Sequence, residues 1–567
     1  MTTAAPALRA PTGHGGVVRS MWYRQLDTYP DTGPRFLFLG IIVVTTILLY
    51  YELYVGGAVA PSILSHYGMS FRFYVNITVV ANAVGAFSSL LAGLGDRWGR
   101  ANMVTYGLLL TGVGVIIVPH MPSAFTFGLL VAVIGFVEGI ILVATPALVR
   151  DFSPQLGRAS AMGFWTLGPV IGSLCVAEVS SHTLPATVHW VDAQGQFLIC
   201  GIAGLVIFVI ALFGLRELSP GLRDQLMVSM HDRALIQARA KGIDIAASLR
   251  RPWRQMLHLD IVGSAFAIAV FLIIYYTAVG FFTIYFTSIF GFTLAQANGI
   301  GNWFWAFDAG ALVVVGLLSD KVRVRKPFMV AGAVGAVIMT IVFSMRAGHP
   351  TTGYYTFVWI ITLLSICLGI AYAPWMASFT ETVEKRNPAL TATGLAVWGW
   401  IIRAVVAISI FILPYVVSST TPLVNYGTQV KAIAAKYPAL VDVDPATLTS
   451  LASGNLSLLG KAVGELQTTL HVSSSKALSL LVEAKSAPAS DVAYLKAHGA
   501  EVVAAGKATP NQWKHWWWVC IAGEIAFIPL IFVMVGRWRP SAARRDVEEY
   551  ERMVDAELAK LRNAPVS

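Results

Sequence analysis

The sequence has little charge and little cysteine, and both shortages limit what the chain can be. Only 12% of its 567 residues are charged and 56% are hydrophobic, whereas soluble domains carry about 25% charged residues. An ordinary soluble protein is therefore excluded. The four cysteines all fall inside long apolar runs, which suits buried thiols better than disulfides or a metal cluster. We predict no metal and no cofactor.

Motifs of hydrolytic and ATP-driven chemistry are also missing. The chain lacks His-Glu-x-x-His, Gly-x-Ser-x-Gly and Gly-x4-Gly-Lys-Ser/Thr, the signatures of zinc proteases, serine hydrolases and phosphate-binding loops. Residues 1–35 lack the apolar core of a secretory signal peptide and are expected to form a cytoplasmic tail. The chain is therefore predicted not to be an enzyme and not to be driven directly by ATP.

Apolar runs of membrane-spanning length are abundant. A hydrocarbon layer of about 30 Å needs roughly 20 apolar residues, and in lipid such a run must be a helix. The sequence predicts an all-α polytopic membrane protein with twelve spans in two six-helix bundles. The spans are predicted approximately at 36–58, 73–94, 102–120, 124–148, 160–181, 196–215, 260–288, 296–318, 328–346, 354–378, 391–416 and 515–536.

The segments outside the spans complete the predicted organisation. A long outer loop at 417–514 has eight Lys, no Arg and several short helical patterns, which predicts a small helical extracytoplasmic insertion. A solvated cap and a partner- or substrate-binding unit are both open interpretations. The remaining units are a tail at 1–35, a first bundle at 36–215, a basic linker at 216–259, a second bundle at 260–536 and a tail at 537–567.

The net charge of +10 is distributed very unevenly along the chain. Of the 40 Lys and Arg residues, 29 lie on the predicted inner side, whereas the short outer loops hold only Arg72 and Arg346. This bias follows the positive-inside rule and predicts cytoplasmic termini in the cell membrane. The basic charge is expected to orient the protein and contact anionic lipid, and no nucleic-acid partner is predicted.

Two similar acidic and basic loops, about 220 residues apart, indicate an internal duplication. An acid at a helix end beside a basic turn can pair with positive charge and helix dipoles on a neighbouring span. A simple topogenic charge cluster is the alternative. The residues concerned are Asp96, Arg97, Gly99 and Arg100 in the first loop and Asp320 and Lys321 in the second.

With Leu94, the first loop resembles the Gly-x-Leu-x-Asp-Arg-x-Gly-Arg motif of the major facilitator superfamily. Ala92 stands at the leading Gly position, and the second copy lacks the Gly-Arg ending. The resemblance implies a secondary transporter that works by alternating access, generally as a single chain. It also implies that both loops latch the inner gate.

Two further resemblances concern the transporter subclass. The stretch from Glu52 to Ile63 is similar to the Asp-x4-Gly-x2-Ala-Pro-x-Ile segment of metabolite:proton symporters, with Glu in place of the usual Asp. In those relatives the acid is implicated in proton coupling. The stretch from Gly168 to Gly172 partly resembles the Gly-Pro-x-x-Gly core of proton-coupled drug antiporters, although helix packing explains it as well.

Charged residues inside spans are costly and therefore mark functional sites. Glu52 and Glu138 suit proton coupling by type and depth, with a structural hydrogen-bonding role for Glu138 as the alternative. Arg403 stays charged and can hold a carboxylate through two hydrogen bonds. It is predicted to bind substrate or to pair with Asp308, either as a switch or as a fixed ion pair. Glu524 is expected to be structural.

These residues lead to a hypothesis about function. We expect proton-coupled uptake of a small polar metabolite or organic anion, with Tyr276 and Trp375 among the pocket residues. Proton-driven efflux of drug-like compounds is the alternative within the transporter class. A transport-fold receptor that uses the insertion as its binding unit is a third hypothesis, from a different class.

Overall fold

The computed structural model describes residues 21–88, 99–152, 157–219, 222, 252–387, 391–453 and 455–534, with scattered positions after 534. Among these residues, nine helices are long and apolar enough to cross a membrane by length and composition. Helices also lie over the predicted second, fifth and twelfth spans. The predicted helical membrane fold is therefore confirmed.

The first half begins with a short strand and continues as helices. Strand β1 is paired in parallel with β2, which follows the sixth span, so the amino-terminal segment is tied to the end of that half. The elements are β1 (Gln25–Leu26), α1 (Thr32–Ala58), α2 (Ala60–Tyr67), α3 (Phe71–Ser88), α4 (Arg100–Ile117), α5 (Ala124–Phe152), α6 (Gly157–Thr183), α7 (Trp190–Gly214) and β2 (Glu217–Leu218).

The second half repeats this pattern, with one break in its first span. The predicted seventh span is two helices that meet at Leu272. The elements are α8 (Pro252–Met256), α9 (Leu259–Phe271), α10 (Ile273–Phe290), α11 (Leu294–Val322), α12 (Lys326–Arg346), α13 (Tyr354–Arg386) and α14 (Thr391–Val416).

The two halves meet along matching pairs of helices. Helix α6 of the first half packs on α11 of the second, and α3 packs on α14, while α1 touches α10. Within each half, α1 packs on α6 and α7, and α11 and α12 pack on α13. The helices that meet between the halves are therefore α1, α3 and α6 of the first half and α10, α11 and α14 of the second.

The insertion is helical throughout its described part. Its helices are α15 (Thr420–Asn425), α16 (Gly427–Lys436), α17 (Ala439–Asp442), α18 (Pro445–Ala452), α19 (Leu459–Leu470), α20 (Ser474–Lys485) and the start of α21 (Ala489–Ile531). We call the end of the molecule that carries it the insertion end, and the opposite end, where β1 and β2 lie, the linker end.

Helix α21 differs from the prediction. The sequence predicts short helices in the loop at 417–514 and a separate last span from 515. The structure has one helix of 43 residues instead. Pro510 lies inside it without ending it, although Gly506, Thr509 and Asn511 nearby are also poor helix formers. Thr509 and Trp513 are fully buried, so packing keeps the helix continuous where local propensity would end it.

The insertion also reaches across to the first half. Thr421 Oγ1 accepts a hydrogen bond from the Phe71 backbone N–H at 3.1 Å, and Asn425 Nδ2 donates to the Met69 carbonyl at 3.3 Å. Helix α15 therefore bridges the second half to the loop between α2 and α3.

Substituting Gly139 by alanine is expected to destabilise the first half. Helices α3 and α5 approach closely through glycines, and a Cβ at Gly139 would overlap the Gly85 carbonyl oxygen. Forcing such packing apart typically costs about 1–3 kcal/mol. Thermal unfolding of the purified protein in detergent measures this effect. Gly40→Ala is the control, because nothing lies within 4 Å of a Cβ there; equal melting temperatures for the two variants would contradict the prediction.

Candidate functional site

Two of the predicted substrate residues come together in the space between the halves. Arg403 on α14 is exposed and interacts electrostatically with Tyr50 of α1 and Tyr276 of α10. Tyr50 is itself buried, so the guanidinium faces side chains of both halves at the edge of accessible space. A guanidinium in this position suits a small anion, because it can donate two parallel hydrogen bonds to a carboxylate.

Glu138 of α5 is a second charged residue that interacts with the same tyrosine. It is 2% exposed, and within the described part of the chain neither of its carboxyl oxygens has a hydrogen-bond partner. It interacts electrostatically with Tyr50 and with Tyr54, one helical turn further along α1. A buried carboxylate without a partner costs several kcal/mol, so a proton or a cation must accompany it.

The structure places Glu52 inside the first bundle, away from Arg403. Its Oε2 accepts a 2.7 Å hydrogen bond from Thr111 of α4. Its Oε1 lies against Gly204 of α7, close enough that a Cβ there would overlap it, and near Gly112 of α4. Because Gly204 and Gly112 have no side chain, these two neighbouring helices leave room for the Glu52 carboxyl. Glu52 interacts electrostatically with Glu138, and its role in proton coupling stays a prediction.

Asp308 and Trp375 lie in the interior of the second bundle. Asp308 is 3% exposed, and a Cβ at Gly369 of α13 would lie 3.2 Å from its Oδ1. Trp375 is fully buried and donates its Nε1–H to Ser264 at 3.0 Å. Both side chains are therefore packed between helices of the second bundle. Their contacts with substrate stay predictions.

The fixed ion pair considered for Asp308 and Arg403 is not formed. Over the described ranges, no ion pair joins the two side chains. Asp308 interacts electrostatically with Tyr275 and Tyr372, whereas Arg403 interacts with Tyr50 and Tyr276. The difference arises because Asp308 faces α13, whereas Arg403 faces the space between the halves.

The first predicted gate loop is described only at its end, since Asp96 and Arg97 lie outside the described residues. Gly99 has a φ of 87° and lies against Glu217, whose carboxylate accepts the Arg100 backbone N–H at 2.8 Å. The Arg100 side chain forms a 3.3 Å ion pair with Asp151 at the end of α5. The positive φ and the close carboxylate both favour glycine at position 99.

The second gate loop has the same arrangement in the other half. Arg325 forms ion pairs with Asp320 at 2.6 Å and with Glu381 near the end of α13 at 3.1 Å. Lys321 is exposed. Sequence reasoning missed Asp151, Arg325 and Glu381. The sequence does contain a signal for the two acids, because each lies near the inner end of a span, Asp151 in the fourth and Glu381 in the tenth.

The site is sealed at the insertion end. Thr283 donates to the Gly57 carbonyl at 2.6 Å, Asn298 to the Ala58 carbonyl at 3.1 Å, and Asn302 to Ser181 at 2.9 Å. With the contacts of α15, these hydrogen bonds join the two halves at the insertion end, within the part of the chain that the structure describes.

Comparisons with known proteins agree with this fold. The sequence profile described as the Major Facilitator Superfamily matches residues 42–423. A bacterial homolog to the human lysosomal transporter Spinster, in an inward-facing and occupied conformation, matches with a TM-score of 0.55 and 15% identity, over 84% of this chain and 98% of that chain. A D-xylose-proton symporter matches with a TM-score of 0.50 and 16% identity, over 67% and 89%.

A curated relative matches a short segment. The Quinolone resistance protein NorB of Staphylococcus aureus (strain bovine RF122 / ET3-1) is 29% identical over 103 residues, 18% of this chain and 22% of the relative. The matched segment thus spans about a fifth of that relative's length. The solved structures bear on the fold alone, because their sequence identity is low.

Proposed function

Because the chain belongs to the major facilitator superfamily, we propose that this transporter couples the uptake of a small organic anion to protons. Membership confirms the resemblance predicted from the loop motifs, and it identifies the chain as a carrier of small molecules and not an enzyme. The direction of transport, the coupling ion and the substrate class are parts of the proposal.

One observation carries the proposal. A cation, Arg403, and a buried acid without a hydrogen-bond partner among the described residues, Glu138, both interact electrostatically with Tyr50 between the halves. Arg403 supplies the charge that attracts an anion. Glu138 supplies a carboxyl that repels the anion when it is ionised.

Protonation of Glu138 then favours anion binding. At an effective dielectric constant of about 20, two like charges ~8 Å apart repel by about 2 kcal/mol. A protonated Glu138 lacks this repulsion, so the proton and the anion bind more strongly together than separately. Glu52 interacts electrostatically with Glu138. It is therefore a second carboxyl close to Glu138, inside the first bundle. Release of the anion on the far side favours release of the proton as well.

We further propose that the two arginine–acid pairs belong to the gate of alternating access. Arg100–Asp151 and Arg325–Glu381 occupy matching places at the linker end of each half. In the proposed topology both termini and the linker at 216–259 are cytoplasmic, and the insertion lies outside the cell membrane. The seal at the insertion end then corresponds to a carrier closed to the outside.

Proton-driven efflux of drug-like compounds is the second candidate. The short match to NorB favours it, and the acids Glu52 and Glu138 would suit a cationic compound. The two functions differ in which way the proton moves when substrate is added on one side.

Proton movement in liposomes tests both candidates. The full chain is reconstituted with a trapped pH-sensitive dye, and hydrophilic organic anions, sugars and cationic drugs are added outside. Protein-free liposomes correct for weak acids that cross the bilayer by themselves. We expect an anion, but no sugar, to carry protons inward with it.

The opposite results would overturn the proposal. Outward proton movement on inward movement of a cationic drug, unaffected by Arg403→Ala, would support efflux. Substrate movement without any proton movement would contradict coupling in either direction. Proton entry with a sugar would contradict the anion class.

A further inference from the structure

A small cavity lies between the halves at the insertion end, and we propose that it binds water molecules that join the two halves. The cavity measures about 40 Å³ and is lined by residues of α1, α6, α10 and α11. Such a volume holds roughly one to three water molecules and is too small for a metabolite. The inference goes beyond the proposed function, because it does not depend on which substrate is carried.

The cavity exists because small residues face each other where the halves meet. A Cβ added at Gly301 of α11 would lie 3.2 Å from the Cβ of Ala177 on α6, so the two helices approach closely there. Ala58 and Ala297 also line the cavity, and like Ala177 they are buried. The space is therefore in the interior of the protein and not on its surface.

The first half presents two hydroxyl groups to this cavity. Ser173 of α6 is 3% exposed, and its Oγ has no hydrogen-bond partner among the described residues. Tyr54 of α1 adds a phenol hydroxyl to the lining. A buried hydroxyl that lacks a partner is unfavourable. A water molecule in the cavity supplies the hydrogen bond that Ser173 needs.

The second half presents a donor and an acceptor. A Cβ at Gly301 would lie 3.6 Å from Trp305 Nε1, which places the indole N–H of this lining residue beside the interface. Asn298 donates through Nδ2 to the Ala58 and Leu294 carbonyls, so its other polar atom, Oδ1, is an acceptor. Buried water makes two to four hydrogen bonds. Water between these groups and the hydroxyls of the first half therefore bridges the halves.

Water in this cavity reinforces the seal at the insertion end. It lies beside the direct hydrogen bonds that Thr283 and Asn298 donate across the same interface. A water-mediated hydrogen bond is nearly as favourable as a direct one. Because separation of the halves opens the cavity and breaks the bridge, the bound water favours the arrangement in which the insertion end is closed.

Removing the Ser173 hydroxyl tests the bridge. In Ser173→Ala the water loses one partner, so the ratio of separated to closed halves is expected to rise about fivefold. Spin labels on Ala186→Cys and Thr351→Cys, both exposed in short loops at the insertion end, report this ratio by pulsed electron paramagnetic resonance. The full chain is measured in detergent, and a chain without the two added cysteines corrects for labelling of the native ones.

Ser180→Ala is the matched control on the same helix. Ser180 is 1% exposed and donates to Gln196 Oε1 at 3.0 Å, within the first half. This variant loses a buried hydrogen bond that does not cross the interface. It is expected to lower the melting temperature without changing the ratio of separated to closed halves.

Radiolytic labelling detects the water itself, because X-rays convert water beside a side chain into hydroxyl radicals that oxidise it. Trp305 is expected to be oxidised several-fold faster than Trp375, which is fully buried and donates its Nε1–H to Ser264. In Ser173→Val, whose methyl groups fill the space, oxidation of Trp305 should fall to the level of Trp375. Tandem mass spectrometry separates Trp305 from the exposed Trp303.

A dry cavity gives different results in each measurement. Loss of an unpartnered hydroxyl is then no cost, so the ratio in Ser173→Ala would stay level or fall, which would overturn the bridge. An equal rise in Ser173→Ala and Ser180→Ala would overturn it as well. Equal oxidation of Trp305 and Trp375, or oxidation of Trp305 unchanged in Ser173→Val, would overturn the water site. None of these measurements uses a substrate, so their outcome is separate from that of the proposed anion carrier.

Discussion

Arg403→Ala is expected to weaken anion-driven proton movement in liposomes strongly. The guanidinium interacts electrostatically with Tyr50 and Tyr276 at the proposed anion position. A hydrogen bond to a charged group contributes about 1.5–3 kcal/mol, and each 1.4 kcal/mol is a factor of ten in affinity. We therefore expect at least a roughly tenfold rise in the concentration of anion needed for half-maximal flux.

Two further variants give this result its meaning. Arg403→Lys keeps the charge but loses the planar pair of donors, so an intermediate flux is expected. Arg346→Ala removes another exposed arginine, at the insertion end of α12, and should leave the flux unchanged. Normal flux in a well-folded Arg403→Ala protein would remove this residue from the substrate site.

Glu138→Gln is expected to separate anion binding from proton movement. Glutamine has nearly the same shape but carries no charge, so it resembles the protonated acid. The variant should still bind the anion and exchange it across the membrane. It should not accumulate the anion against its gradient in response to a pH difference. Counterflow of labelled anion and uptake driven by a pH gradient measure the two activities separately.

The pH dependence of binding checks the same assignment. In the wild type, rising pH ionises Glu138, and the resulting charge opposes the anion, so anion affinity falls as pH rises. In Glu138→Gln this dependence should vanish, with affinity staying at the low-pH value. Glu52→Gln should keep a pH dependence, because Glu138 is still present. A flat profile in Glu52→Gln and a normal one in Glu138→Gln would transfer the coupling role to Glu52.

The membrane architecture could be predicted from the sequence because lipid leaves the chain few choices. A long apolar run must be a helix, and the loop motif with Gly99 and Arg100 indicated the superfamily. Local cap signals also predicted helices well in the insertion: Ser473 accepts the Lys476 backbone N–H at the start of α20. These features depend on neighbouring residues, which sequence patterns record directly.

The direction that each charged side chain faces could not be predicted in the same way. Residue type and depth predict the same role for Glu52 and Glu138, yet the structure turns Glu52 towards Thr111, where Gly204 leaves room for it. Trp375 is predicted to be a pocket residue, but its hydrogen bond to Ser264 holds it inside the second bundle. Depth follows from position in a span, whereas facing depends on residues that are distant in sequence.

Glu524 in the second half and Glu52 in the first are buried acids with the same kind of hydrogen-bond partner. The Glu524 carboxyl is fully buried and accepts a 2.7 Å hydrogen bond from Thr340 of α12, as Glu52 does from Thr111 of α4. In each half an acid thus meets a threonine of the third span. The sequence revealed the duplication through the loops, but the matching threonines became visible only with the helices side by side.

Helix α21 joins the insertion to the last span as one continuous helix. At 1.5 Å per residue, its 43 residues form a rod about 65 Å long. A rotation of the second half must swing the far end of this rod through a larger arc than the helix ends at the membrane. The same rotation would break the contacts of Thr421 and Asn425 with the loop at 69–71. A fluorophore pair, with one dye on the insertion and one on that loop, would therefore report each transport cycle without labelling the substrate pathway. A binding protein that holds the insertion and the loop together would stop transport without contacting the substrate site.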